Sequence, residues 1–207
     1  MSGAVEFFRQ NPVYLAILAA LLTLAIWSWY KAAKASAKRN REKEAIMKKL
    51  EEDTALRKEF EDLTPEKAQS ADPERLFKGV ALGMCRLIEK ADDMQQVFDS
   101  FTEEQKMIYA LYFVFEDGGE KLSDFFRLNG SPLTDYALKA VKTIFGGKAA
   151  ESFECEYRAS DENDETTSFV PAELDKQDAA FAEALSSVNW QSLTADFIKN
   201  NIDSLKS

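Results

Sequence analysis

The side chains of this chain that could do chemistry are almost all carboxylates. Its 207 residues hold 36 Asp and Glu, 26 Lys and Arg, two cysteines and no histidine. Without histidine the chain lacks the usual general base near neutral pH and the commonest metal ligand. Cys85 and Cys155 stand far apart, in no CxxC or metal-type spacing. No Gly-rich phosphate loop and no Gly-x-Ser-x-Gly elbow occurs. Hydrolysis by paired carboxylates is the one catalytic chemistry that the composition leaves open, because Asp and Glu are everywhere. The residue types therefore point away from an enzyme, and they offer no cofactor or metal site. The densest acidic cluster is Asp161, Glu162, Asp164 and Glu165, inside the run Ser160–Ser168, which has no apolar residue. It reads as an exposed loop that suits a basic partner, with a plain solvated connection as the alternative.

The charge is unevenly distributed. Residues 1–62 carry a net charge of +2 and residues 63–207 a net charge of −12. A domain this acidic repels nucleic-acid phosphates, so direct DNA or RNA binding is disfavoured and a basic protein is the expected partner. Acidic faces that only maintain solubility are the plainer explanation.

Pro12–Tyr30 reads PVYLAILAALLTLAIWSWY, nineteen residues without a charge. About 20 apolar residues in a helix span a bilayer core, and a helix satisfies its own backbone there. Tyr14, Trp27, Trp29 and Tyr30 fall where aromatic rings favour the headgroup interface. Eight Lys and Arg follow between Lys31 and Lys49, against Glu42 and Glu44, while only Arg9 and Glu6 precede. The positive-inside rule then places a short extracytoplasmic N-terminus (1–11), a transmembrane helix (12–30) and a cytoplasmic remainder at a bacterial inner membrane. The basic segment Lys31–Lys49 can rest on anionic lipid. A cleaved signal peptide competes through the small residues of Ala33-Lys34-Ala35, but the charge lies on the wrong side for it. A buried soluble helix fits poorly, because the stretch is apolar all round.

The elements beyond the span read as helix after helix. Residues 31–70 form a charged helical linker with a break near Pro65, too poor in heptads for a firm coiled coil. In the acidic domain, 71–207, Asp72-Pro73 is a cap followed by proline at the first helical position. Leu76, Phe77, Val80, Ala81, Met84, Leu87 and Ile88 then form one apolar face, and Cys85 in this pattern is expected to be buried. Thr102 and Gln105 have capping-box spacing before Met107–Phe115, MIYALYFVF, which predicts a fully buried central helix with Phe113 in the core. The pairs Gly118-Gly119, Asn129-Gly130 and Gly146-Gly147 read as helix stops, the first two as the turns Asp117-Gly118-Gly119 and Asn129-Gly130. Ser131-Pro132 opens a helix through Ile144, residues 148–158 another around Phe153 and Tyr157. Two more follow, holding Leu174, Phe181 and Leu185, and then Trp190, Leu193, Phe197, Ile198 and Ile202. No strand alternation appears, and the predicted class is all-α.

One order of motifs resembles a known family. Ile108-Tyr109-Ala110-Leu111-Tyr112 leads into Asp117-Gly118-Gly119, Phe125-Phe126 precedes Asn129-Gly130, and Tyr136-Ala137-Leu138-Lys139-Ala140 follows. Leu174-Asp175-Lys176-Gln177-Asp178 and Phe197-Ile198-Lys199-Asn200-Asn201 close the set. Over about residues 101–201 this resembles the DNA-mimic-protein-like bacterial helical domains. Asp117 replaces the family's Asn, Glu120 its aromatic residue, and a membrane anchor is no part of the family pattern. The resemblance implies an all-helical domain, often a homodimer, whose namesake imitates the charge of DNA to occupy a basic protein. Two function classes follow: a membrane-anchored acidic interaction module, or a structural or accessory subunit of a membrane or envelope assembly that uses an apolar interface.

Overall fold

The structure is a computed structural model, and it describes residues 12–119, 121–162 and 171–206, with the side chains of 161, 162, 171–173 and part of 12–37 left out. Every element among the described residues is helical. The chain divides into two units, Met1–Glu52 and Asp53–Ser207. Helix α1 covers Pro12–Glu59. Among the described residues no helix is long and apolar enough to cross a membrane. The proposed span 12–30 lies only partly within that set, because the side chains of 12, 14, 15, 17–19, 22, 25 and 26 are outside it. The large apolar side chains that are described there, Val13, Leu21, Leu24, Trp27, Trp29 and Tyr30, are all exposed.

The compact unit begins at Asp53, ahead of the predicted boundary at 71, because Leu56, Phe60, Leu63 and Ala68 are buried core residues. Helices α2 (Pro65–Ser70) and α3 (Pro73–Glu89) both start with proline behind a side-chain cap. Asp72 accepts the Arg75 amide at 3.1 Å, which meets one of the amides a helix start leaves unpaired. Leu87, expected on the apolar face of α3, is 40% exposed. Helix α4 spans Met94–Ser100 and α5 Glu103–Asp117. The capping box forms: Thr102 Oγ1 accepts the Gln105 amide at 3.1 Å and Gln105 Oε1 accepts the Thr102 amide at 2.9 Å. The Thr102 hydroxyl also donates to the Ser204 carbonyl at 2.9 Å, fastening the start of α5 to the C-terminal end.

Helices α6 (Leu122–Leu128), α7 (Leu133–Ile144), α8 (Gly147–Glu162), α9 (Pro171–Ser186), α10 (Trp190–Asn200) and α11 (Ile202–Leu205) complete the unit. α5 is central, packing on α3, α6, α7 and α11, while α8 packs on α6, α7 and α9. Ile108, Ala110 and Leu111 are buried as MIYALYFVF suggests. Phe113 is only half-buried; its ring meets Tyr109 at 5.0 Å and Tyr112 at 5.5 Å.

The helix stops differ in physical cause. Gly146 and Gly147 take φ of +60° and +50°, the left-handed region that glycine enters without steric penalty. Gly118 does not, with φ −97°. Glycine is needed there for close approach, since a Cβ would lie 2.6 Å from the Val114 carbonyl oxygen and 3.1 Å from Phe125 Cβ. α8 also runs past the predicted end at 158, so Ser160, Asp161 and Glu162 are helical rather than loop.

Candidate functional site

The turn after α5 and the turn after α6 meet. Asn129 Nδ2 donates to Asp117 Oδ2 and to the Phe125 carbonyl, both at 2.9 Å. This ties the two Asp/Asn-and-glycine turns of the sequence reading into one corner. Gly118 and Gly119 sit at the end of α5, and Gly130 precedes α7.

The same corner borders a surface cavity of about 190 Å³. Asn129, Gly130 and Ser131 supply one side, Thr134 and Asp135 of α7 a second, and Tyr157 and Ser160 of α8 the third. Its most charged member is Asp135. The Ser131 hydroxyl donates to Asp135 Oδ2 at 2.6 Å and the Tyr157 hydroxyl to Asp135 Oδ1 at 2.6 Å. Both donors fix the carboxylate in place without cancelling its charge. No Lys or Arg among the described residues forms an ion pair with it. A fixed, exposed carboxylate beside hydroxyl and amide groups can receive an ammonium or guanidinium group.

Of the predicted partner-binding acids, Asp161 and Glu162 lie in the last turn of α8, one and two residues beyond Ser160 at the cavity edge. Their side chains, and all of Asp164 and Glu165, lie outside the described residues.

Two buried acids, on α8 and α9, escaped the sequence reading. Glu156 on α8 is 1% exposed, and neither carboxyl oxygen has a hydrogen-bond partner. Asp178 on α9 is also buried, but it accepts the Ser123 amide at 2.8 Å and the Ser123 hydroxyl at 2.9 Å. Burial first, and the nearby Asp178 charge second, push the Glu156 carboxyl up to about 8. A signal for both existed: Glu156 follows Ala149, Ala150 and Phe153 at helical spacing, and Asp178 lies between Leu174 and Phe181 on theirs.

Cys85 is half-buried and packs against the core, and Cys155 is exposed. Burial, then Glu89, push the Cys85 thiol up to about 12, so it is a poor nucleophile. Among the described residues no group of His, Cys, Asp and Glu could hold a metal ion.

Compared with known proteins, the chain matches no family model, no curated protein and no solved structure.

Proposed function

We propose that this chain is a membrane-anchored acidic interaction module that binds a basic protein at the cytoplasmic face of a bacterial inner membrane. The observation that carries the binding role is Asp135, held by Ser131 and Tyr157 in a polar cavity at the root of the acidic segment. The net charge of −12 over residues 63–207 adds a field that attracts cations and repels nucleic acid. The resemblance of residues 101–201 to DNA-mimic-like domains supports the same kind of partner. The absence of histidine from the whole chain supports binding over catalysis. The anchor rests on the uncharged stretch Pro12–Tyr30, its exposed apolar side chains and the Lys31–Lys49 segment that follows. Such a helix needs an apolar solvent, and the basic segment suits anionic lipid.

The test is titration of the detergent-solubilised full-length chain with an arginine- and lysine-rich peptide. Affinity falls as salt rises, because screening shortens to about 3 Å at 1 M. Asp135→Asn removes a solvent-screened ionic contact of about 0.2–1 kcal/mol, a loss of up to roughly fivefold. Neutralising Asp161, Glu162, Asp164 and Glu165 together weakens the salt dependence. Unchanged binding in both variants, or measurable affinity for duplex DNA, refutes the reading. For the anchor, the chain stays with membranes in carbonate, and a Ser2→Cys thiol is labelled from outside intact cells while Cys155 is not. Labelling of Cys155 in intact cells overturns the orientation.

One observation favours an accessory subunit instead. Met94, Phe98, Tyr109 and Leu133 line an open groove of about 240 Å³ that is mostly apolar. An apolar partner there binds with little salt dependence, which separates the two readings in the same titration.

A further inference from the structure

Glu156 is placed where an ionised carboxylate is hardest to keep. It follows Phe153 by three residues on α8, and the Phe153 ring meets Phe181 of α9 at 5.7 Å, while the charge that acts on Glu156 is Asp178 of the same helix α9. With 1% exposure and no partner for either oxygen, its neutral form lacks hydrogen bonds and its charged form lacks all solvation. Asp178 makes no hydrogen bond to it, its oxygens accepting from Ser123 instead, and the Asp178 charge opposes a second one nearby.

The described charged groups on the neighbouring helices are Asp124 and Arg127 on α6, Asp135, Lys139 and Lys142 on α7, and Asp175, Lys176, Asp178 and Glu183 on α9. Asp178 alone among them is buried. The cations are directed elsewhere: Arg127 pairs with Asp124, Lys142 with Glu154, and Lys139 with Glu103. Lys176 and, on α8 itself, Lys148 are exposed, and Arg158 pairs with Glu154, so among the described residues no positive charge is in place to receive an ionised Glu156.

We propose that Glu156 is a proton-operated latch between α8 and α9, closed while the carboxyl is protonated and opened when its proton passes to solvent. The next residue, Tyr157, and Ser160, whose hydroxyl donates to the Glu156 carbonyl at 3.0 Å, form the α8 wall of the surface cavity. Opening the latch moves that wall and breaks the hold of Tyr157 on Asp135. The partner site and the buried acid are thus coupled through one turn of helix, whatever chemistry the partner has.

The linkage has a definite sign. The closed state holds the proton up to about pH 8, whereas a solvent-exposed glutamate releases it near 4.5. Opening is therefore least favoured below 4.5, rises about tenfold per pH unit between the two values, and levels off above the higher one.

Hydrogen exchange of the full-length chain tests this, with wild type and Glu156→Gln compared at each pH so that intrinsic exchange cancels. The expected result is a wild-type to variant ratio at α8 and α9 amides that climbs about tenfold per pH unit, with amides of α3 and α5 unchanged. A ratio flat with pH overturns the latch, and so does an equal rise across α3 and α5. Carboxyl ¹³C titration of the wild type is independent of the variant's folding. A Glu156 midpoint far above the ordinary glutamate range supports the latch, and one within that range overturns it.

Discussion

Two glycines four residues apart on α3 should respond differently to the same substitution. An ideal Cβ at Gly79 would lie 2.2 Å from Phe60 Cδ2 and 3.0 Å from its Cγ, whereas a Cβ at Gly83 would meet nothing within 4 Å. Phe60 is itself buried, so its ring must shift to make room, and a cavity of about 120 Å³ that Phe60, Gly79 and Gly83 all line sets how far it can go. Mid-helix Gly→Ala gains about 0.5–1 kcal/mol through reduced unfolded-state entropy and better propensity. Gly83→Ala keeps that whole gain, which raises Tm by roughly 1–4 °C in a unit of this size. Gly79→Ala sets the gain against an overpacking cost of about 1–3 kcal/mol, so it ranges from neutral to a loss of about 2.5 kcal/mol. Thermal unfolding followed by circular dichroism reads both. A double-mutant cycle with Phe60→Leu gives a coupling of about 1 kcal/mol or more at Gly79 and none at Gly83. The reasoning fails if Gly79→Ala stabilises the chain as much as Gly83→Ala does.

Three further outcomes follow from burial and capping. Phe153→Ala, at a fully buried ring, costs about 3–5 kcal/mol, and Phe113→Ala at its half-exposed site costs clearly less; equal Tm losses would contradict the core assignment. Thr102→Ala removes both the cap on α5 and the bond to the Ser204 carbonyl, a loss of about 1–2 kcal/mol in chemical denaturation, and Thr102→Ser recovers most of it. Cys155 reacts with a maleimide at mildly alkaline pH and Cys85 does not, because its thiol is half-buried and pushed up to about 12; comparable rates at both positions count against that burial.

Local chemistry that short sequence patterns encode was legible. Thr102 with Gln105 and Asp72 with Pro73 act through hydrogen bonds to their own helix, so their spacing alone predicts them. Helical periodicity likewise locates the cores of α3 and α7, while the cap and the following glycines mark α5. What escaped depends on tertiary placement. Gly118 reads as a left-handed stop, yet its role is set by Phe125 packing across the turn, a contact between separate helices. Leu56 and Phe60 look like sparse apolar points in a charged helix until Gly79 supplies the slot for a ring. Phe113 sits in an unbroken apolar run, which hides the direction each side chain faces. Glu156 and Asp178 count only as charge in the composition, although the spacing of their apolar neighbours places both on buried faces. The Asp135 cavity depends on α6, α7 and α8 converging, which no single window of sequence contains.

The junction of α3, α5 and α10 has a spectroscopic consequence. Trp190 stacks on Phe115 with ring centroids 4.2 Å apart and 24° between planes, while Phe77 meets it edge-on at 6.2 Å. The other two tryptophans, Trp27 and Trp29, belong to the first unit, so Trp190 is the only indole in the compact one. With Trp27 and Trp29 replaced by Phe, tryptophan emission excited at the red edge, where tyrosine does not absorb, and the tryptophan bands of the near-ultraviolet circular dichroism report that junction. Separation of α8 from α9 leaves this signal in place, while collapse of the whole unit shifts the emission to the red and abolishes the aromatic dichroism. One built-in chromophore thus distinguishes a local opening from general unfolding without any attached label.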